Sequence, residues 1–557
     1  VPAIRLGVLV RLVRSTRMVL GGTYWLLHLV QRPEASKTGA AAGSAGATAA
    51  PTGAGMRVTT TMLAITAASV NADWGRRISP NGNATLAIRW CQRAPRPATP
   101  AAIGYARSMR IAIVGAGYVG LVTAACLAHV GHQIVCLDVD TARVERLRHG
   151  DLPVHELGLD ELVAEGLANG RLRFTADDSD IRGTELAVVC VGTLDAAEEW
   201  NGDIVRGAVH DIAADPQLPR SIVIRSTLMP GTAAGIAAEL RATAPDVRLA
   251  HNPEFTREAV AVSDFLAPDR VVIGVDGHDD GAEGTALAET LRRVYAPLEA
   301  HTVVTALTSA ETIKVASNVF LAAKVNFANE IARLTAATGA DAAAVVDGMG
   351  LDKRIVRSFL SPGPGWGGSC FPSQARALPQ LAHGFGVQTP LMDAIWPSNV
   401  SQADWLLDGL ERAASRPIEG MRVALLGLTF KAGTDDLRES PAIRLGRALL
   451  GRGAHVVAFD PVALEPGCAL LEESAAPGFV EQAISAELAC VEADAVVVAT
   501  EWPQFAELDW EAIGPTMAGR VVIDGRRIVD SKMASGAGLR VVALGVEVKG
   551  AALKPAG

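Results

Sequence analysis

One cysteine, Cys370, lies in the glycine-rich stretch GWGGSCFPSQARAL of residues 365–378. A cysteine in such a loop can act as a nucleophile, bind a metal or fill space in a core. The seven cysteines include no CxxC pair and no close Cys/His cluster, so we predict no metal site. A disulfide framework is implausible at this chain length, and reduced thiols in a cytoplasmic protein are expected. The residues alone leave nucleophile and core filler open.

A dinucleotide-binding pattern occupies residues 109–140, MRIAIVGAGYVGLVTAACLAHVGHQIVCLDVD. A strand leads into a glycine-rich turn and an apolar helix, and a second strand ends at Asp138. Gly115 permits the tight turn, Gly117 lets the backbone approach a pyrophosphate, and Gly120 allows close packing of helix on strand. Asp138 would bind the adenosine ribose and repel a 2′-phosphate, which predicts NAD rather than NADP. The predicted cofactor residues of this segment are Gly115, Gly117, Tyr118, Val119, Gly120 and Asp138.

A long helix is predicted from Thr308 to about Thr338. Lys314 and Asn318 are four residues apart on it and therefore share a face. Apolar residues surround the pair, so an ordinary amphipathic core helix also explains it. No role is assigned to the pair from spacing alone.

A second strand–loop–helix–strand pattern begins at Met421 and ends at Asp460. Its loop keeps only Gly427 of the glycine fingerprint and adds Lys431 and Arg438, which suits a phosphate ligand other than a second NAD. Further strands are expected at 185–193, 221–227, 495–500 and 520–526. The sequence thus predicts an α/β fold of two doubly wound Rossmann-like domains joined by a long central helix, with a ligand cleft between them.

The charge is distributed unevenly. The net charge of −9 argues against nucleic-acid binding, which needs a basic face. Residues 1–108 hold 12 Arg and 1 Lys against 2 acids, or +11, which leaves −9 − 11 = −20 for the remainder. Their apolar run, Met18–Val30, is too short to span a membrane as a helix. We expect residues 1–108 to be disordered or a spurious extension, with Met109 the natural start, and genuine targeting as the weaker option.

Several strings together, in this order, resemble the UDP-glucose/GDP-mannose dehydrogenase family, and among its members the UDP-glucose 6-dehydrogenases. They are IAIVGAGYVGL, RSTLMPGT, NPEFTREAVAVSDFLAPDRVVIG, ETIKVASNVFLAAKVNFANE, LDKRIVRSFLSPGPGWGGSCFP, TFKAGTDDLRESPA and VIDGRRIVD. The resemblance covers Met109 to about Val548. It implies an NAD-dependent enzyme that oxidises C6 of a nucleotide sugar twice, from alcohol to acid. The intermediate would be a cysteine thiohemiacetal and then a thioester, and thioester hydrolysis would release UDP-glucuronate.

The resemblance also implies site roles. Cys370 matches the nucleophile, Glu254 the general base toward water, and Thr227 a hydroxyl that orients the water or the nicotinamide. Lys314 and Asn318 would stabilise an oxyanion. An arginine at the position of Arg354 would reach the substrate across a dimer interface. The full catalytic set is Cys370, Lys314, Asn318, Glu254, Thr227 and Gln374. The remaining predicted cofactor contacts are Arg143, Thr193, Thr227 and Arg438. The predicted substrate contacts are Glu254, Glu258, Lys314, Asn318, Arg354, Gly367 and Lys431.

The implied domains are an NAD-binding domain at 109–300, a helical dimerisation domain with the cysteine loop at 301–400, and a UDP-sugar-binding domain at 401–557. A homodimer or larger homo-oligomer is expected, with a UDP-sugar as the ligand and no membrane or nucleic-acid partner.

The chain departs from the family pattern after the cysteine. Ser373 and Gln374 stand where members usually carry lysine and aspartate, and Leu194 replaces the usual proline after VGT. Ligand binding is expected to survive, whereas turnover could suffer from the lost base. The alternatives are a GDP-mannose or UDP-N-acetylhexosamine enzyme of this family, or a catalytically impaired nucleotide-sugar-binding protein.

Overall fold

The computed structural model describes residues 108–195, 199–276, 282–476 and 478–545. It also describes a short antiparallel pair, Val19–Leu20 with Thr23–Tyr24. Apart from this pair and Ser108, the predicted extension at 1–108 lies outside the described residues.

The first sheet has eight strands in the order β8-β7-β6-β5-β4-β1-β2-β3. All neighbours run parallel except β6 and β7, which are antiparallel. The strands are rich in Val, Ile and Leu because helices cover both faces of such a sheet. They are β1 Arg110–Val114, β2 Gln133–Leu137, β3 Leu172–Thr175, β4 Leu186–Val189, β5 Ser221–Ile224, β6 Arg248–His251, β7 Val271–Val275 and β8 Thr302–Ala306.

The second sheet has six parallel strands in the order β11-β10-β9-β12-β13-β14. Its order changes direction at β9, where a doubly wound fold binds ligands beyond the strand carboxyl ends. The strands are β9 Arg422–Leu426, β10 His455–Phe459, β11 Val480–Gln482, β12 Ala495–Val498, β13 Val521–Asp524 and β14 Arg540–Ala543.

A 32-residue helix, Leu307–Thr338, connects the two sheets and is called the central helix below. It starts directly after β8, one residue before the predicted start. Gly274 of β7 allows this close start, since a Cβ there would lie 2.6 Å from Cβ of Ala310. The fold prediction of two Rossmann-like units joined by a long helix is confirmed.

The remaining helices cover the sheets or surround the central helix. Those of the first half are Tyr118–His129, Thr141–Arg148, Leu159–Ala168, Asp203–Ala214, Thr232–Thr243, Ala261–Leu266 and Ala282–Tyr295, with 3₁₀ turns at Asp178–Ile181 and Ala296–Leu298. Those of the middle are Ala342–Gly350, Cys370–Gly384, Pro390–Asp393, Ile395–Val400 and Gln402–Ala414. Those of the second half are Pro441–Gly451, Leu464–Glu472, Ala486–Cys490, Pro503–Ala506, Trp510–Ile513 and Ser531–Gly536, with a 3₁₀ turn at Gly514–Thr516.

Candidate active site

The glycine-rich turn after β1 has the geometry that a dinucleotide requires. Gly115 has φ +102°, and a Cβ there would lie 2.9 Å from the carbonyl oxygen of Cys190. A Cβ on Gly120 would lie 1.8 Å from the carbonyl oxygen of Gly115, so the helix packs directly on the turn. A Cβ on Gly117 would meet nothing within 4 Å, which leaves open space at the helix N-terminus. A pyrophosphate fits such an opening, because free backbone N–H groups and the helix dipole favour an anion.

Asp138 follows β2 at the carboxyl edge of the sheet and is buried. Its Oδ2 accepts from the Ala116 amide at 2.6 Å and from Arg143 Nη1 at 3.2 Å. Its Oδ1 accepts from the Asp140 amide at 2.9 Å. The carboxylate therefore ties the glycine turn to the second strand, and Arg143 partly balances its charge.

Replacing Asp138 with Ala should weaken the preference for NAD over NADP. The change removes the charge that repels a 2′-phosphate and releases Arg143 to attract one. Loss of a hydrogen bond to a charged group should lower kcat/KM for NAD by about 10- to 100-fold. Steady-state kinetics with both cofactors measure the ratio, and Asp246→Ala is the control, because Asp246 is an exposed aspartate paired with Arg220 before β6, at the opposite edge of the same sheet. A wild type that already used NADP equally well would contradict the assignment.

Tyr118 and Val119 begin the helix that follows the turn. The Tyr118 hydroxyl hydrogen-bonds to the Glu156 carboxylate, and burial raises the pKa of this tyrosine above its usual range. Glu156 also accepts from the Ala261 amide at 2.8 Å, at the start of a helix. The tyrosine is thereby fixed beside the turn.

Lys314 on the central helix forms a buried ion pair with Glu254. Its Nζ lies 2.7 Å from Glu254 Oε1, and the two residues are only 2% and 5% exposed. Glu254 Oε2 accepts from the Thr256 amide at 2.6 Å and from its hydroxyl at 2.7 Å. Burial by itself would raise the pKa of Glu254, but the Lys314 ammonium and the Thr256 hydrogen bonds bring it below the ordinary value. Glu254 is therefore a carboxylate at neutral pH.

Asn318 lies one turn beyond Lys314 and is also buried, so the predicted shared face points inward. Two residues of this region were not singled out from the sequence. Glu311, one turn before Lys314, accepts from the amides of Gly231 and Ala233 at 2.7 and 2.6 Å and so fixes the MPGT turn. Arg270 stacks on Phe255 at 3.9 Å from the ring centroid. Glu311 could have been found as an acid on an apolar helix face, and Arg270 as the arginine of the PDRVVIG string.

Cys370 is the first residue of a helix, Cys370–Gly384, rather than part of the glycine loop as the sequence suggested. The glycines and Pro372 concealed the helix start, although proline is tolerated in a first turn because no intrahelical N–H is lost there. Cys370 is half-buried, and its Sγ lies 3.5 Å from Ser369 Oγ. Burial raises the pKa of its thiol, whereas Lys314 acts to lower it. A helix N-terminus also favours the thiolate.

The two departures from the family pattern lie on the same helix. Ser373 Oγ donates to the carbonyl oxygens of Ser369 and Cys370, at 2.9 and 3.1 Å. Gln374 is 2% exposed, and its Oε1 has no hydrogen-bond partner among the described residues. A buried amide oxygen of this kind can accept a hydrogen bond from a ligand or water.

Buried amides hold the loop before the cysteine in place. Asn399 exchanges two hydrogen bonds of 2.9 Å with the Trp366 backbone, and Asn326 Oδ1 accepts from the indole N–H at 2.8 Å. Asn329 Oδ1 accepts from the Gly363 amide at 2.8 Å. Because these amides come from the central helix and its neighbours, the loop is fixed relative to Lys314.

The loop after β9 brings positive charge to the first half of the chain. Lys431 Nζ donates to the Glu258 carbonyl at 2.6 Å, and Arg438 lies 3.6 Å from Glu258 Oε1 and 2.7 Å from Asp436 Oδ2. Burial, together with the nearby Asp436 carboxylate, raises the pKa of Glu258 to about 7. Gly367 lies against this segment, since a Cβ on it would fall 2.2 Å from the carbonyl oxygen of Glu439.

Three predicted site residues make fewer contacts. Thr227 and Thr193 are half-buried at strand ends, and their carbonyl oxygens accept from Trp200 Nε1 at 3.3 Å and the Asn201 amide at 2.8 Å. Arg354 is not brought to the site of its own chain: its side chain is 89% exposed and pairs with Asp352 at 2.6 Å.

Three consecutive parts of the chain match models of one protein family. Three family models match: the NAD binding domain of the UDP-glucose/GDP-mannose dehydrogenase family over residues 109–299, its central domain over 308–401 and its UDP binding domain over 424–531. The chain belongs to this family. It is an NAD-dependent dehydrogenase with a nucleotide-sugar domain.

Individual relatives are similar over their whole length. A UDP-glucose 6-dehydrogenase of Rickettsia conorii is 37% identical over 79% of this chain and 100% of its own length. The structure of a UDP-glucose dehydrogenase from Pyrobaculum islandicum has a TM-score of 0.69 at 34% identity, covering 77% of this chain and 96% of its own. A UDP-D-ManNAc dehydrogenase from Pyrococcus horikoshii has a TM-score of 0.67 at 26% identity, covering 78% and 99%.

Neither a metal site nor a membrane-spanning helix is present among the described residues. They contain no group of three or more His, Cys, Asp or Glu side chains able to hold a metal. None of their helices has the length and apolar character needed to cross a membrane.

Proposed function

We propose that the protein oxidises UDP-glucose to UDP-glucuronate with NAD, in two oxidations at one site. The main support is the position of Cys370. It lies at a helix N-terminus, and the Lys314 ammonium and Glu254 carboxylate of the buried ion pair both act on the pKa of its thiol. A thiol beside a cation and a carboxylate suits addition to an aldehyde followed by hydrolysis of the acyl-enzyme. When bound, NAD supplies the hydride acceptor, and the open turn at Gly117 with Asp138 would hold it.

Each side chain then has a defined task. The Cys370 thiolate adds to the aldehyde carbon, and the Lys314 ammonium and Asn318 amide donate to the oxygen that becomes negative. Arg438 and Lys431 bind the ligands from the UDP-binding domain, next to Glu258. Gly367 leaves the backbone close to the sugar.

Glu254 acts as base in the hydrolysis step. In the free enzyme Lys314 keeps its pKa low and its proton affinity small. When the ammonium donates to the substrate oxygen, it neutralises Glu254 less, and burial raises the pKa of the carboxylate. The base thus strengthens when the acyl-enzyme is present. Thr227 positions the attacking water.

Replacing Gln374 with Asp should raise the steady-state rate. A neutral amide can hold a water but cannot take its proton, and a general base contributes about 10²–10⁴-fold. Because Glu254 remains, we expect slow hydrolysis in the wild type: a burst of about two NADH per active site, then a slow phase. The variant should speed the slow phase and leave the burst unchanged.

Stopped-flow measurement of NADH gives both phases, and denaturing mass spectrometry detects a uronyl adduct on Cys370. Gln504→Asp, at an exposed glutamine of the UDP-binding domain, is the matched control. Absence of both burst and adduct, with no acceleration in the variant, would show that Gln374 does not limit turnover.

The sugar specificity can be tested directly. The relatives described above include both UDP-glucose dehydrogenases and a UDP-D-ManNAc dehydrogenase, and the former share more sequence with this chain. We expect kcat/KM for UDP-glucose to exceed that for GDP-mannose and UDP-N-acetylhexosamines by about 10-fold or more. Higher activity on either alternative would reassign the substrate, and binding without NADH formation from any of them would identify an impaired homologue.

We also propose a homodimer formed through the central helix. Phe320, Phe327 and Leu334 recur every seven residues and are 66%, 47% and 57% exposed. An apolar stripe of this spacing is typical of a helix that packs on another helix. A partner subunit on this face would explain why Arg354 points away from its own site.

Replacing Phe327 with Glu should therefore dissociate the dimer, because a carboxylate would be buried in an apolar interface. Sedimentation should show the monomer mass and NADH formation should fall. Ile484→Glu, at a still more exposed apolar residue of the UDP-binding domain, should leave the mass unchanged. An unaltered mass in the Phe327 variant would place the interface elsewhere.

The cytoplasmic location stays a prediction, supported by the six described cysteines, all of them free.

A further inference from the structure

Glu439 connects two arginines from different parts of the chain. Its Oε1 accepts from Arg376 Nη1 at 2.8 Å, and its Oε2 accepts from Arg444 Nη2 at 3.1 Å. Arg376 is on the cysteine helix, six residues after Cys370, whereas Arg444 is on Pro441–Gly451 in the UDP-binding domain. A carboxylate shared by two guanidinium groups fixes both of them.

One aromatic ring lies against both arginines. Arg376 Cζ is 4.8 Å and Arg444 Cζ is 5.2 Å from the ring centroid of Trp396, within the range of a cation–π interaction. Trp396 belongs to the helix Ile395–Val400 of the central domain, next to the amides that hold the cysteine loop. We call these four residues (Arg376, Trp396, Glu439 and Arg444) the Glu439 bridge.

The backbone of Glu439 is also constrained. Its φ is +47°, a left-handed conformation that a non-glycine residue keeps only where its surroundings fix it. Its carbonyl oxygen occupies the space that a Cβ on Gly367 would need, and the Gly368 amide donates to the Arg438 carbonyl at 2.9 Å. The same short segment therefore contacts the loop before Cys370 through its backbone and the helix after Cys370 through its side chain.

We propose that Glu439 is a positioning residue for the cysteine helix. The bridge fixes the position of this helix relative to the domain that binds the UDP group. It thereby sets the distance between Cys370 Sγ and the sugar C6. This rests on the function proposed above. The hydrogen bonds that define the bridge join Glu439 to the two arginines and do not involve Cys370, so its loss should affect the rate of thiol addition more than ligand binding.

Glu439→Gln tests this, because it keeps the shape of the side chain and removes its charge. Misplacement of a reacting group by a fraction of an ångström to 1 Å slows its step by about 10- to 100-fold, and we expect that range in the rate of the NADH burst, which includes thiol addition. The UDP-glucose and NAD concentrations that half-saturate the burst should change by no more than about threefold. Loosening of the helix should also speed alkylation of Cys370 by iodoacetamide, followed by mass spectrometry. Arg376→Lys, which keeps the charge, should retain more activity than Arg376→Met.

Glu473→Gln is the matched control, since Glu473 pairs with Arg447 at 3.4 Å in the same domain and should show none of these effects. An unchanged burst rate and unchanged alkylation in Glu439→Gln would overturn the proposal, as would a change in half-saturation alone or an equal effect in the control. If Glu439→Gln does not fold, the two Arg376 variants decide by the same criteria. A wild type inactive on UDP-glucose would contradict the proposed function, whereas the alkylation rates would still test the bridge.

Discussion

Replacing Cys370 with Ser should abolish uronate formation while aldehyde formation continues slowly. A serine hydroxyl is far less nucleophilic than a thiol near neutral pH, so the acyl-enzyme cannot form at a useful rate. Removal of a covalent nucleophile lowers turnover by about 10³-fold or more. The first oxidation does not need the thiol, and the variant should therefore form no more than one NADH for each UDP-glucose. Product analysis by mass spectrometry separates aldehyde from acid.

Cys468→Ser provides the comparison for loss of a thiol away from the site, because Cys468 is buried in the UDP-binding domain. It should still form the acid. Full oxidation to the acid by the Cys370 variant would remove this cysteine from the mechanism and return it to the role of core residue.

Replacing Lys314 with Met should have the second large effect. It removes the donor to the developing oxyanion, and this loss should lower kcat by about 10²–10³-fold. It also leaves the Glu254 carboxylate buried without its counter-ion, which destabilises a protein by about 3–5 kcal/mol. The variant should lose both activity and thermal stability.

The pH dependence of stability distinguishes this variant from a general packing defect. In the wild type Lys314 holds the pKa of Glu254 below its ordinary value, so the pair stabilises the fold above about pH 4.5 and this stabilisation is lost on acidification. Without Lys314, burial raises that pKa, and the fold should instead be destabilised as pH rises through it. When the pH is lowered from 7 to 5.5, the melting temperature of Lys314→Met should therefore rise relative to that of the wild type. Thermal unfolding at a series of pH values measures this.

Glu254→Gln in the Lys314→Met background is the control, because it removes the buried charge. It should recover much of the lost stability without recovering activity. If Lys314→Met kept the wild-type pH profile, the ion pair would not exist in solution.

The dinucleotide site could be predicted from sequence because its determinants are local. Gly115, Gly117 and Gly120 act through their own backbone, and Asp138 follows the next strand, so the spacing alone specifies the turn. The shared face of Lys314 and Asn318 is equally a matter of helical period. These elements need no knowledge of distant contacts.

Long-range pairing could not be predicted in the same way. Glu254 and Lys314 are 60 residues apart, and only the packing of the central helix against β6 and its loop brings them together. The burial of Gln374 and the Glu439 bridge likewise depend on how three segments meet. The glycines and the proline around Cys370 predict a loop, but packing overrides this local propensity and a helix begins at the cysteine.

The amount of NADH formed per UDP-glucose shows whether the enzyme performs both oxidations. Enzyme, excess NAD and a limiting, known quantity of UDP-glucose are incubated to completion, and NADH absorbance is compared with the quantity of sugar. We expect two NADH for each UDP-glucose, with UDP-glucuronate as the product. One NADH per sugar with aldehyde as the product, or no NADH at all, would contradict it.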